Sequence, residues 1–298
     1  MHTQQIQKPI RIKLADVEYR QNPREAFGRL REQGPVFRGR MPVMGKVWFA
    51  VSWQAASDVL RKTDDFVRDP KNAGKKKYAM IQSLLPRTFS KLANNLLGQD
   101  GADHRRLRSL VDQAFQRQNI RQLESRIETI CQQQLDLVAN ISSDGTLPVD
   151  IIEHYARPVP LIVICELLGL PDEDRPKFMK WFEGFANVGS LTDIFKMLPS
   201  IRRTLKYLEK QFDEVRRQPR DGLISALVQA ELDGEKLSRD ELLSMATLLL
   251  LAGHETTVHL ISNSILTLLE LPEALQQLTS DWSLADSFIE EVLRYCSP

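Results

Sequence analysis

Residues 248–257 read Leu-Leu-Leu-Leu-Ala-Gly-His-Glu-Thr-Thr. An apolar run meets, within about one helical turn, a glycine, a carboxylate and two threonines. Upstream, Ser238 and Glu241 have the spacing of a capping box, in which the hydroxyl takes a free N–H and the carboxylate reaches back. No stop signal follows until Pro272. The pattern therefore predicts one helix of about 32 residues, roughly 48 Å long at 1.5 Å per residue. A mid-helix glycine costs about 1 kcal/mol relative to alanine. Adjacent threonine hydroxyls compete for backbone carbonyls. Each feature alone is equally a tolerated irregularity of a buried helix. Together they break three local rules at one point, which is where a functional site is expected.

His254-Glu255 and His259 invite a zinc-protease reading, but the spacing excludes it. The HExxH pattern sets its histidines i and i+4, about 40° apart around the helix, whereas i and i+5 are about 140° apart. No metal ligands are expected in this chain.

Two further clusters carry chemistry. Asp100-Gly101-Ala102-Asp103-His104-Arg105-Arg106-Leu107-Arg108 puts His104 and Arg108 on one helix face, i and i+4. Cationic donors near a helix start suit an anion such as a carboxylate; taken alone, the stretch reads as an exposed basic helix start. Glu291 and Arg294, at i and i+3, have the spacing of an ion pair found on many helices.

The rest of the chain is read by its punctuation. Asn22-Pro23 opens a helix that Gly34 closes. Val36-Phe37 and 47–51 carry the clearest β signal, joined by the link Gly39–Gly45. Trp53 to Lys62 returns to helix, and 66–101 read as a long loop with short helices. Leu123, Ile127, Ile130 and Leu137 mark one buried helical stripe. Helices follow at about 150–168, ended by Gly169 and Pro171, then 172–187, 192–217, the long helix, and 284–295. The chain is predicted to be mainly α with a small β region, one domain over 1–298.

Composition bounds the rest. The chain has 298 residues, with 40 Lys and Arg against 39 Asp and Glu, so net charge points neither to nucleic acid nor to a membrane surface. Residues 61–126 nonetheless hold fifteen basic and seven acidic side chains, a solvated face or a docking patch for an acidic partner. Three dispersed cysteines, Cys131, Cys165 and Cys296, suit a reducing compartment. The N-terminal MHTQQIQKPIRIKL lacks the apolar core of a signal peptide, and the apolar stretch 242–253 is too short to cross a bilayer. A soluble, cytoplasmic protein is expected. The Gly39 to Gly45-Lys46 segment is one residue too long for a phosphate-binding loop, and Val47 stands where Ser or Thr is needed.

Taken in order, DGADHRRLRSLVDQAF (100–115), ICELLGLP (164–171), LLLLAGHETT (248–257) and EEVLRYCSP (290–298) resemble the C-helix, E-helix end, I-helix and K-helix signatures of the cytochrome P450 family, soluble bacterial type. The resemblance implies a helical prism with a small β region, haem b as cofactor, and monooxygenase chemistry. In that chemistry one atom of O2 enters an apolar small molecule, with electrons from a ferredoxin or flavodoxin-type donor. It implies that His104 and Arg108 hold the haem propionates and that Ala252 and Gly253 form the bend that leaves room for dioxygen. Glu255 and Thr256 become the acid–alcohol pair that delivers protons for O–O cleavage, and Glu291 and Arg294 the structural ExxR pair. Met245, Leu248 and Leu249 are expected on the substrate side, with 78–89 and 182–195, although ordinary core explains these positions equally well. Arg105, Arg106, Arg117 and Arg121 are expected to help dock the acidic donor. The family's ligand is a cysteine thiolate, which pushes electron density toward the iron, in a Gly-rich loop beyond the K-helix. None of the three cysteines matches it. The expectation is thus an incomplete P450 domain lacking its C-terminal haem-ligand part, with a catalytically inactive fragment or helical binding module as the alternative reading.

Overall fold

The computed structural model describes residues 22–41, 45–69, 71–73, 95–117, 120–141, 148–182, 191–232 and 237–296. Asn22 and Pro23 start α1 (Pro23–Gln33), and Gly34 ends it. An antiparallel pair, β1 (Val36–Met41) and β2 (Gly45–Ala50), follows in the register Val36 opposite Ala50. The expected link 39–45 is shorter than predicted, because Gly39, Arg40 and Met41 continue the ladder. Then comes α2 (Trp53–Arg61), capped by the Ser52 hydroxyl, which accepts from the Ala55 N–H. Leu30 and Phe37 make a small apolar cluster that ties α1 to the sheet.

Helices build the rest: α3 (Gly101–Arg117), α4 (Ile120–Ile141), α5 (Pro158–Leu168), α6 (Arg175–Phe182), α7 (Leu191–Arg217), α8 (Leu223–Leu232), α9 (Arg239–Glu270), α10 (Pro272–Ser280) and α11 (Ala285–Tyr295). The main core joins buried side chains of α3, α5, α6, α7, α8 and the first half of α9. Mainly helical with a small sheet is the expected class. Among the described residues no helix is long and apolar enough to cross a membrane.

The long helix is as predicted: 32 residues, with Ser238 as N-cap and both halves of the capping box in place. Other expectations change. Leu223–Leu232 is a helix whose residues 223–228 are buried all the way round, so this part lacks the amphipathic period that marks a helix in sequence. Pro272 both bounds α9 and sits in the first turn of α10, where its missing N–H costs nothing. The span 150–168 is divided. Ile152–Ala156 forms a π turn, in which the Arg157 N–H donates to the Ile152 carbonyl five residues back at 3.0 Å. Pro158 and Pro160 follow, and neither has an N–H to continue an α ladder from that side. Of the predicted α4 stripe, Ile130 is buried but Leu137 is exposed. The predicted helix 172–187 is a 3-10 turn, Asp172–Asp174, followed by α6; residues 183–187 lie outside the described residues.

Two features position the elements around the site. Gly169, left-handed at φ 74°, ends α5 and lies against Gly222, which leads into α8. A Cβ on Gly169 would stand 2.3 Å from the Asp221 carbonyl oxygen, so only two glycines let these backbones cross. Glu166 of α5 accepts from Arg126 of α4 at 2.7 and 2.9 Å and from Arg175 of α6 at 2.6 Å, joining three helices through one carboxylate.

Candidate functional site

The centre of α9 presents two unlike faces. Gly253, His254, Thr257 and Val258 turn inward. A Cβ on Gly253 would meet Ile164 of α5 at 3.1 and 3.3 Å, so the bare glycine is what allows α5 this close. His254 is buried, and its Nε2 lies 3.3 Å from the Arg157 carbonyl oxygen, where the π turn meets α5. Burial holds its imidazole below the ordinary histidine range, against the opposing pull of that carbonyl and of Glu255. Ala252, Glu255, Thr256 and His259 turn outward and are exposed. Glu255 and His259, one turn apart, approach to 3.4 Å.

The threonines behave as their chemistry predicts. Thr256 Oγ1 donates to the Ala252 carbonyl at 2.6 Å and Thr257 Oγ1 to the Gly253 carbonyl at 3.1 Å. α9 runs through this point without interruption. The bend expected at Ala252 and Gly253 is therefore not a break in the helix, and the space left by Gly253 is taken up by Ile164 rather than opening outward. Of the three candidate substrate contacts, Met245 lies fully in the core, while Leu248 and Leu249 are half-buried against it. The expected contacts at 78–89 and 182–195 lie outside the described side chains.

α3 carries the second cluster. Asp100, just before it, accepts from the backbone N–H groups of Arg68 and Asp69, both at 2.8 Å, and from the Asn72 side chain. Burial raises the Asp100 carboxyl, but these donors outweigh it and hold it below the usual carboxylate range. His104 and Arg108, with Asp112, Gln113 and Gln116, line an open groove of about 370 Å³. Arg108 Nε donates to Asp112 at 3.0 Å within that groove. Arg106 points elsewhere: it pairs with Glu241 in the capping box of α9 and so fastens α3 to the start of the long helix. Burial raises the Glu241 carboxyl, but the Ser238 N–H and Arg106 lower it more. Arg106 is thus a structural cation rather than the docking residue expected. Arg105 is exposed, and the Arg117 and Arg121 side chains lie outside the described residues.

On α11, Arg294 grips Glu291 through two bonds of 2.6 Å, with both side chains mostly exposed. The guanidinium holds the Glu291 carboxyl below its usual range. The Asn263 amide donates to the Cys296 carbonyl at 3.2 Å and ties α11 to the second half of α9. Cys165 is fully buried, and burial pushes its thiol up to about 12, so it is a core thiol rather than a ligand. Among the described residues no cluster of His, Cys, Asp and Glu forms a metal site.

The structure shows three partners that sequence patterns miss: Asp100 as a loop anchor, Glu241 as the partner of Arg106, and the Arg157 carbonyl as the partner of His254. The capping box marked Glu241, but nothing local indicated the other ends of these contacts.

Comparison with known proteins gives one consistent result. The cytochrome P450 family model matches residues 4–285. Cytochrome P450 monooxygenase PikC of Streptomyces venezuelae is 35% identical over 94% of the chain and 64% of its own length. Polyketide biosynthesis cytochrome P450 PksS of Bacillus subtilis is 34% identical over 94% of the chain and 68% of its own length. The chain thus spans about two thirds of the length of these relatives. The crystal structure of myxobacterial cytochrome P450 CYP267B1 in complex with myristic acid superposes with a TM-score of 0.83 at 34% identity, covering 94% of the chain and 68% of that structure.

Proposed function

The chain belongs to the cytochrome P450 family, and from that premise we propose that it carries the oxygen-handling and propionate-holding residues of a haem monooxygenase acting on an apolar small molecule. One observation carries the reading most: Glu255 and Thr256 lie side by side on the outward face of a continuous helix, beside the small Ala252.

The residues present fit a haem on two counts. The groove at His104 and Arg108 is open and offers cationic donors suited to carboxylates. The outward face at 252–256 offers a methyl group, a hydroxyl and an acid with no described side chain over them. His104, Arg108 and Ala252 are the residues that would hold or abut the group, with Gly253 acting from behind through α5. When bound, haem supplies one-electron chemistry and the activation of O2.

The chain's own residues account for the rest. Arg108 can exchange its Asp112 partner for a propionate without crossing the groove. The Thr256 hydroxyl, anchored on the Ala252 carbonyl, keeps its acceptor lone pairs and can take up one proton as it releases its own. Glu255 can reload it, because an exposed carboxylate exchanges protons with solvent and with the neighbouring His259. Glu291 and Arg294 correspond to the ExxR pair and here bond to each other on the exposed face of α11. Leu248 and Leu249 flank the outward face and suit an apolar substrate, consistent with the polyketide pathway of PksS and the fatty acid bound to CYP267B1. Exposed Arg105 suits an acidic ferredoxin or flavodoxin-type donor. A single domain in a reducing, cytoplasmic compartment completes the reading.

The test is Thr256→Ala in the haem-loaded protein. Product formed per electron consumed should fall roughly tenfold or more, the scale of a lost proton-transfer catalyst, with peroxide rising in its place. Unchanged coupling removes Thr256 from the proton path.

A further inference from the structure

His254 is the one polar residue of the 252–259 segment whose side chain is buried, at 7% exposed. Its acceptor, the Arg157 carbonyl, is held on both sides. The Arg157 N–H is bound to Ile152, and the next residue is Pro158, whose ring fixes its own φ. Adjacent Gly253 rests on Ile164, seven residues further along the same element. Neighbouring residues of α9 therefore touch α5 at two points about two helical turns apart. One contact is steric and limits approach. The other is directional and limits rotation.

We infer that His254 is a positioning residue: its hydrogen bond to the Arg157 carbonyl sets the rotation of α9 about its axis and so aims Glu255 and Thr256 outward. The inference rests on the assignment of Glu255 and Thr256 as the working pair. At about 100° per residue, a slip of one third of that angle would swing the Thr256 hydroxyl along the outward face. A carbonyl only accepts, so the bond requires a proton on Nε2. The charged groups facing the imidazole are Glu255 on its own helix and Arg157 across the contact.

The experiment uses the 298-residue chain with 15N-labelled histidine and 13C-labelled threonine methyls. The wild type should show His254 protonated at Nε2. His254→Leu should speed amide exchange at 252–258 roughly fivefold, the scale of one lost hydrogen bond. It should also move the Thr256 methyl carbon toward rotamer averaging. His254→Gln places an amide N–H where Nε2 stood and should restore both readings to within roughly twofold of the wild type. Three results overturn the inference: a His254 protonated at Nδ1 alone, a Leu variant indistinguishable from the wild type, or a Gln variant no better than Leu. Should the Leu variant fail to fold, the wild-type protonation site and the Gln variant decide. These readings need no cofactor. Normal coupling in Thr256→Ala would dismiss the working pair and leave them untouched, so the two failures are separable.

Discussion

Residues 242–250 of α9 hold seven apolar side chains in nine positions and residues 260–270 six in eleven; the first stretch is largely buried among α3, α5, α7 and α8, while Leu266 and Leu269 of the second are 52% and 71% exposed. The first half is held by packing from several helices. The second leans on α10 and on α11, the latter through contacts such as Asn263 to Cys296, and is only partly covered among the described residues. Glu255 and Thr256 sit at the join. The proton-handling role proposed for them needs a rigid support on one side and access on the other, and the middle of a helix buried at one end provides both.

The comparison is broken most severely by truncating side chains in each half. Leu243→Ala, at a fully buried position, should cost about 3 kcal/mol in chemical unfolding, whereas Leu269→Ala should stay within about 0.5 kcal/mol. Equal losses would mean that the second half is packed as tightly as the first.

The join itself is sharpened by Gly253→Ala. Alanine gains about 1 kcal/mol in helix propensity, but a Cβ 3.1 Å from Ile164 overpacks by about 1–3 kcal/mol, so the net effect should be a loss. Ile164→Val added to it should recover part of that loss. A more stable Gly253→Ala protein would show that α5 yields freely.

Acid acts on the same contact. His254 is held below its ordinary value of 6.5, chiefly by burial. As pH falls below 6.5 the unfolded chain binds this proton before the folded one does, so stability present above that pH is progressively lost. Melting temperatures of His254→Leu should fall less steeply than those of the wild type between pH 6.5 and 5. Parallel slopes would show that His254 is not the titrating group.

The smallest effect belongs to the exposed Glu291–Arg294 pair. Arg294→Ala in this chain should leave the melting temperature unchanged, since exposed pairs contribute little. Arg106→Ala, which strips the partly buried Glu241 of its partner, should lower it by a few degrees.

Much of this was legible before any coordinates. Ser238, Glu241 and Pro272 set the bounds of α9 because caps and prolines act within a turn of where they stand. Gly34 and Gly169 ended their helices for the same reason. Helix α8 was not legible, because its residues 223–228 are buried all the way round and so show no polar face to give them a period. Leu137 followed the helical spacing and still faces solvent, since spacing marks a face without saying whether anything covers it.

The site divides along the same line. Spacing singled out the cluster at Gly253, Glu255, Thr256 and Thr257, set His104 and Arg108 on one helix face, and ruled out a zinc helix from the angle between two histidines; the roles proposed for these residues came from the family resemblance. His254 was left without a role. That Gly253 accommodates Ile164, that His254 reaches the Arg157 carbonyl, and that Arg106 is taken by Glu241 depend on contacts between residues 89 to 135 positions apart. Hydrogen bonds and van der Waals contacts act over a few ångströms, so such pairings exist only once the helices have packed.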